Sequence, residues 1–527
     1  MSTVNSEDSK RETKSTTRPV AVIDIGATSI RMAIGEIGEY GGVRRLDSLT
    51  QAVNLGKDTF THGAISKASI EDCVRVLKSY RRLLDEYQIT SSDQIRVIAT
   101  SAVREASNRL AFIDRIYIAT GLQVEPIDEA EVNRVTYLGV QPFLEAEPQL
   151  AAARTIVTEV GGGNTEVLVV KNGNVVYAHT YRLGSLRLRE TLGAYRAPTR
   201  KLRDIMKNQI LRTVQQIQEQ VHTDGRIEMI ALGGDVRFAA TQLLPDWVPS
   251  ALARVPVPTL EEFTNEILEL SEDEIVRKFH LTFQETETVG PALLAYVEVA
   301  KAFNLVNVLV TNVNLRYGLL QEMAVRNAFT DEFRNQIIRS AIDLGRRFDF
   351  HEAHARHVAE LARTLFEQLR AEHQLDARYE TILYIGALLH EIGLFIAQRS
   401  YHKHSMYVIR NSEIFGLGRK DLLMASLIAR YHRRASPQPT HEGYSTLDRD
   451  ERVTVAKLAA LLRVAISLDE SRSQRIQEIL CQFEDGKLVI AAPRVDDLAL
   501  EQLALRQNSS LFEEVFGMQV QLRTVRR

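Results

Sequence analysis

The chain has 527 residues, 45% hydrophobic and 25% charged, which is enough to bury several cores, so three or four domains are expected. A net charge of −3 supplies no global field for nucleic acid or an acidic membrane; neither partner is expected, and any polyanion site has to come from local clustering. With only Cys73 and Cys481, far apart in sequence, a disulfide scaffold and a Cys-rich zinc site are both excluded.

The opening "MSTVNSEDSKRETKSTTRP" is polar and lacks the apolar core of a signal peptide, and no later run of about 18 apolar residues could span a bilayer. A disordered leader over 1–18 and a cytoplasmic location are therefore expected. "VAVIDIG" and "SIRMAIGEI" read as two strands joined by a short turn at Gly26. Ile70, Val74, Leu77 and Leu84 then recur at helical spacing, followed by the strand "IRVIAT" and a helix opened by Ser101. Alternating β and α elements predict a layered α/β domain.

"TIVTEVGGGNTEVLVV" restarts that pattern about 135 residues later, which predicts duplicated halves with Asp24 and Glu159 at matching strand ends. Asn172-Gly173 suits a type I′ turn in a hairpin, and "IEMIALGGD" and "NVLVTN" predict two further strands, the second leading into a helix near Leu315. From Phe333 to Ala435 the pattern is all helical, and the tail from Lys487 reads strand, helix, helix, strand. The predicted domains are 19–140, 141–327, a helical 328–478 and a small α+β unit over 479–527.

A strand, a glycine turn and a second strand present several backbone N–H groups in one concavity, and glycine lets an oxyanion approach closely. Gly161, Gly162 and Gly163 are followed by the donors Asn164 and Thr165, while Glu159 and Glu166 bring negative charge that suits a phosphate only with a cation such as Mg²⁺ between them. "ALGGD" offers a third turn at Gly233 and Gly234. No helix follows the first glycines directly and there is no GxxxxGK[ST], so neither a Rossmann fingerprint nor a P-loop is present.

"AVIDIGATSIRMAIGEI", "VIATSAVREASNRLAFIDRI" and "TEVGGGNTEVLVV" resemble the exopolyphosphatase / guanosine pentaphosphate phosphohydrolase (Ppx/GppA) family. Leu383 to Ile396, "HKHSMYVIRNSEIFG" and "ARYHRRA" are similar to the HD-like domain of its longer members. The resemblance implies an actin-like ATPase fold of two ribonuclease-H-like subdomains, then an all-α HD-like domain and the α+β unit. It implies Mg²⁺-dependent (or Mn²⁺-dependent) hydrolysis of terminal phosphoanhydride bonds in inorganic polyphosphate or guanosine pentaphosphate, and a homodimer. By similarity Asp24, Gly26, Thr28 and Ser29 form the first phosphate loop, Gly161 to Thr165 the second, Gly233 and Gly234 the third, and Arg104 contacts phosphate. Asp24, Glu159 and Glu166 are the implied metal ligands.

Several positions depart from the pattern. Glu159 replaces an aspartate, Asn164 a serine, and Gly234, Asp235, Val236 and Arg237 stand where a Ser-Gly-Thr turn is usual. Asn312-Val313 replaces an aspartate-glycine pair. Registering "IDEAEVNRVTYLGV" on Arg134 places the catalytic glutamate on Val132, which leaves Glu131 as the provisional base and Glu129 or Asp128 behind it. Adjacent helical residues point about 100° apart, so Glu131 does not simply substitute. A phosphate polymer or alarmone binder that has lost hydrolysis is thus the alternative, and a sugar or acetate kinase of the same fold a third option.

In the helical region His354 and His390 stand where an HD metal site needs them. Glu391 replaces the paired aspartate and Ile466 the distant one, so a structural role is expected there. Arg182, Arg187, Arg189, Arg196, Arg200, Lys201 and Arg203, with His402, Lys403, His404, Arg430, Arg433 and Arg434, form basic clusters that could line a polyanion channel, and His432 reads as core or ligand.

Overall fold

The computed structural model describes residues 17–39, 42–193, 199–221, 225–324, 331–433 and 435–525. Most of the expected leader, together with Arg196 and Arg434 of the basic clusters, lies outside them. Two units divide the chain, Met1–Asn327 and Ala328–Arg527.

In the first unit, the apolar run after Arg18 forms β1 (Arg18–Ile25), buried along both faces. It pairs antiparallel with β2 (Ser29–Ile37), and β2 with β3 (Val43–Ala52). β4 (Ile95–Ala99) and β5 (Val124–Pro126) extend the other side in parallel, giving the order β3-β2-β1-β4-β5. The second sheet repeats this plan. β6 (Arg154–Val160), β7 (Thr165–Lys171) and β8 (Asn174–Tyr181) are antiparallel neighbours, and β9 (Ile227–Leu232) runs parallel to β6. β10 (Ala253–Pro256) is an added edge on β11 (Asn307–Val310), so the order is β10-β11-β9-β6-β7-β8. β8-β7-β6-β9-β11 thus duplicates β3-β2-β1-β4-β5, the doubled ribonuclease-H-like arrangement of the actin-like ATPase fold. Between β7 and β8, Asn172 and Gly173 both have positive φ (51° and 72°), as a type I′ turn requires.

The halves are stitched together by their own cores. Leu319 and Leu320, on the helix Leu315–Ala324 that follows β11, are buried with Val20 and Val22 of β1 and with Val132 and Val135. Leu186, from the helix after β8, joins the core of the first half. The chain end of one half is thereby delivered onto the central strand of the other.

The second unit is helical. Glu352–Gln368 packs against Arg378–Leu388 and Arg449–Ser467, and Tyr401–Arg410 against Arg419–Arg430. It ends in β12 (Leu480–Glu484), β13 (Lys487–Pro493) and β14 (Gln519–Val525), with two helices between β13 and the parallel β14. No helix among the described residues is long and apolar enough to cross a membrane.

Candidate active site

The two glycine turns are geometric copies. Gly26 N–H donates to Ser29 O at 3.0 Å, and Gly161 N–H to Asn164 O at 2.9 Å, 135 residues on. Asp24 faces Arg31 across the first strand pair, and Glu159 faces Glu166 across the second. The turns also touch. A Cβ on Gly162 would lie 3.2 Å from that of Ala27, and one on Gly163 would lie 2.3 Å from Ser101 Oγ and 2.7 Å from Phe60. Glycine at 163 is therefore a condition for the halves to close. The N–H groups of Ala27, Thr28, Gly162 and Gly163 donate to no protein acceptor among the described residues, which leaves a nest of amides between the halves.

These turns wall one cleft of about 210 Å³. Asp24, Gly26, Thr28, Ser29, Arg104, Glu159, Gly161 to Asn164, Glu166, Gly233 and Gly234 all line it. Gly233, at φ 116°, has a backbone that only glycine adopts freely, and it turns β9 into the helix Gly234–Leu243. Below the cleft, the Tyr296 hydroxyl accepts from Val160 N–H at 2.8 Å and donates to Leu232 O, which locks β6 to β9 at the carboxylate end. Thr165 departs from the expected set. Its hydroxyl donates to Leu183 O and is 2% exposed, so it closes the second turn from behind the wall.

Arg31 and Arg316, which the sequence reading does not pick out, enter the cleft beside Arg104 and Arg237. Arg316 donates to Asp24 Oδ2 at 3.2 Å, while Asp24 Oδ1 and the Ser29 hydroxyl are buried without a partner. Burial pushes Arg237 and Arg316 below the usual guanidinium range, against the pull of Glu159 and Asp24 respectively. Burial likewise raises Glu159, opposed by Arg237 and Arg31. Glu166 is pushed up to about 8 by burial and then by Glu159, and Asp235 up to about 6 by burial against the hydrogen bond from Thr288 at 3.2 Å. Buried guanidiniums and orphaned acceptors mark a site whose electrostatics are completed by a ligand. With its amide oriented to satisfy both ends, Asn164 accepts from Arg104 at 3.1 Å and donates to Gly163 O at 2.8 Å.

The provisional base is the main correction. Val132, not Glu131, lines the cleft. Glu131 accepts from Arg96 and lies 3.7 Å from Arg134, and both arginines also pair with the buried Glu322. Asp128 caps the helix Glu129–Ala146, accepting from Glu131 N–H at 2.9 Å, and Glu129 holds Arg104 at 3.2 Å. Glu131 and both fallback carboxylates therefore serve the helix and its ion pairs. Glu166, which lines the cleft, feels both Arg104 and Glu129.

The first basic cluster is largely spent. Arg182 and Arg187 share Glu105 at 2.8 and 2.7 Å, and Arg187 also donates to Gly163 O at 2.8 Å and covers the Phe60 ring. Arg189 pairs with Glu272 and Glu287. Arg187 braces the second turn, and these three arginines do not form a free basic stripe.

The model of the Ppx/GppA phosphatase family matches residues 36–327, and that of Ppx/GppA phosphatase domain III matches 338–509. The chain belongs to the Ppx/GppA phosphatase family. Among its relatives in this family is the guanosine-5′-triphosphate,3′-diphosphate pyrophosphatase of Photobacterium profundum, 22% identical over 498 residues, or 93% of this chain and 95% of that one. An exopolyphosphatase structure from Cytophaga hutchinsonii is similar with a TM-score of 0.53 and 20% identity, over 59% of this chain and 98% of that chain. An exopolyphosphatase-like protein structure gives the same TM-score and identity over 59% and 99%. These likenesses show the fold that this Ppx/GppA chain shares. The family match begins beyond the first turn, whose place rests on the internal repeat.

Proposed function

We propose that this cleft binds the end of a linear phosphoanhydride, inorganic polyphosphate or guanosine pentaphosphate, and hydrolyses its terminal bond. The observation that carries the reading is the contact between the two turns, which brings their unpaired amides, Asp24, Glu159 and four guanidiniums to one place. Asp24 Oδ1, buried without a partner, together with Glu159, fits a hard divalent cation, Mg²⁺ or Mn²⁺. Bound there, such an ion neutralises phosphate oxygens during transfer. The amides of Gly162 and Gly163 and the Arg104 guanidinium orient the terminal phosphate, and Glu166 takes the proton of the attacking water.

A base is active only when ionised. With Glu166 near 8, about a tenth is ionised at pH 7, so phosphate release is expected to climb almost tenfold from pH 6 to 7, keep rising, and level off above 8. Glu166→Gln removes that rise. The second reading, binding without turnover, is favoured by one observation: an aliphatic side chain, Val132, occupies the wall where the resemblance puts the catalytic glutamate. Phosphate release from both substrates between pH 6 and 9, with binding measured in parallel, separates the two. Binding without release establishes the second reading, and the absence of both overturns the site.

A further inference from the structure

Three helices of the second unit bring side chains to one buried point. His354 sits in the first turn of Glu352–Gln368, His390 and Glu391 follow Arg378–Leu388, and Asp469 follows Arg449–Ser467. Among the described residues, His354, His390 and Glu391 each place a ligand atom within 4.8 Å of the others. His354 Nδ1 lies 2.7 Å from Asp469 Oδ2, so the carboxylate fixes the tautomer and leaves the Nε2 lone pair outward. His390 has the same arrangement, with Nδ1 donating to Ala387 O at 2.6 Å, and its Nε2 is buried without any partner in a residue 1% exposed.

Two other buried histidines of this unit use both ring nitrogens. His373 bonds Phe366 O through Nε2 at 2.8 Å and accepts from Leu375 N–H through Nδ1 at 2.9 Å. His432 is held by Ala429 O and, at 3.0 Å, by the Tyr401 hydroxyl. The orphaned nitrogen of His390 costs stability unless something accepts its lone pair. Glu391, meanwhile, has one oxygen on Arg472 at 2.5 Å, which balances its charge and leaves the other for a ligand.

We infer that the helical unit holds one divalent transition-metal ion through His354, His390 and Glu391, with Asp469 orienting His354 from behind. Two imidazole nitrogens and one carboxylate select Zn²⁺, Fe²⁺, Mn²⁺ or Co²⁺ over Mg²⁺ or Ca²⁺. Three protein ligands also leave a coordination position open to water. The acid that the sequence register assigns to Ile466 is supplied by Asp469, one helical turn further on.

The test is a Co²⁺ titration of the full chain after chelation, read by visible absorption. One equivalent is expected to produce the bands of a nitrogen-containing site that excess Mg²⁺ does not displace. Glu391→Gln and His390→Gln are expected to weaken Co²⁺ binding at least tenfold, and Asp469→Asn by about 10- to 100-fold. Circular dichroism confirms folding. Should His390→Gln fail to fold, Glu391→Gln carries the test, because it keeps the size of a side chain that is 15% exposed. Folded variants that bind Co²⁺ as tightly as the parent, or a parent that binds none, overturn the inference.

Discussion

Val132→Glu is expected to raise phosphate release at pH 7 by about tenfold, because only about a tenth of Glu166 is ionised there. The carboxylate assigned the base role, Glu166, is held largely protonated by burial and by Glu159. Val132 is 8% exposed and faces the cleft, on the first turn of a helix where the nearby acids Asp128, Glu129 and Glu131 are committed to a cap and to ion pairs. A carboxylate there would share the cleft with Arg104, whose charge favours the ionised form. The pH profile should flatten as well, since turnover would no longer wait for Glu166. Phosphate release by the folded variant that remains at the parental rate would show that protonation of Glu166 does not limit turnover.

Glu159→Gln is expected to abolish turnover, by at least 100-fold, and at the same time to tighten binding of a phosphate polymer in the absence of divalent cations. Glu159 is buried among Arg237, Arg31 and Arg316, with Asp24 adding repulsion. Removing its charge leaves those guanidiniums uncompensated, a situation that costs roughly 3–5 kcal/mol in buried pairs. The bound polyanion then supplies the missing charge. A lower melting temperature that polyphosphate restores by several degrees would show the same coupling. Equal loss of turnover and of cation-free binding would mean that Glu159 contacts the ligand only as a structural prop.

Much of this fold is legible from hydrophobic pattern. Buried strands such as β1 and β6 read as continuous apolar runs, and the repeat of "VIDIG" in "VTEVG" exposes the duplication. β3 is hidden because its ten residues, including Arg44, Arg45 and Asp47, form an exposed edge without an apolar run. β10 is four residues long and half exposed.

At the site, the turns are visible because glycine spacing encodes backbone conformation, whereas the partners that cross between halves are not. Arg316 reaches Asp24 across 292 residues of chain, and no local spacing announces such a pair. Arg31 did leave a signal, as the residue that the 135-residue repeat sets against Glu166. The fate of Glu131 depends on Arg96 and Glu322, which arrive from a strand and from a distant helix. Asp469 lies three residues beyond Ile466, and only the folded helix end shows that it meets His354.

The central claim is that the turns at Gly26 and Gly161 form one closed anion site. It is tested most directly by calorimetric titration of the protein and of Gly163→Val with tripolyphosphate, in the presence of Mg²⁺. Any side chain at 163 meets Ser101 and Phe60, so the variant cannot close without displacing them. The predicted result is one site per chain in the parent and at least a tenfold weaker one in the folded variant. Equal affinity in both, or no binding by the parent, would contradict the account.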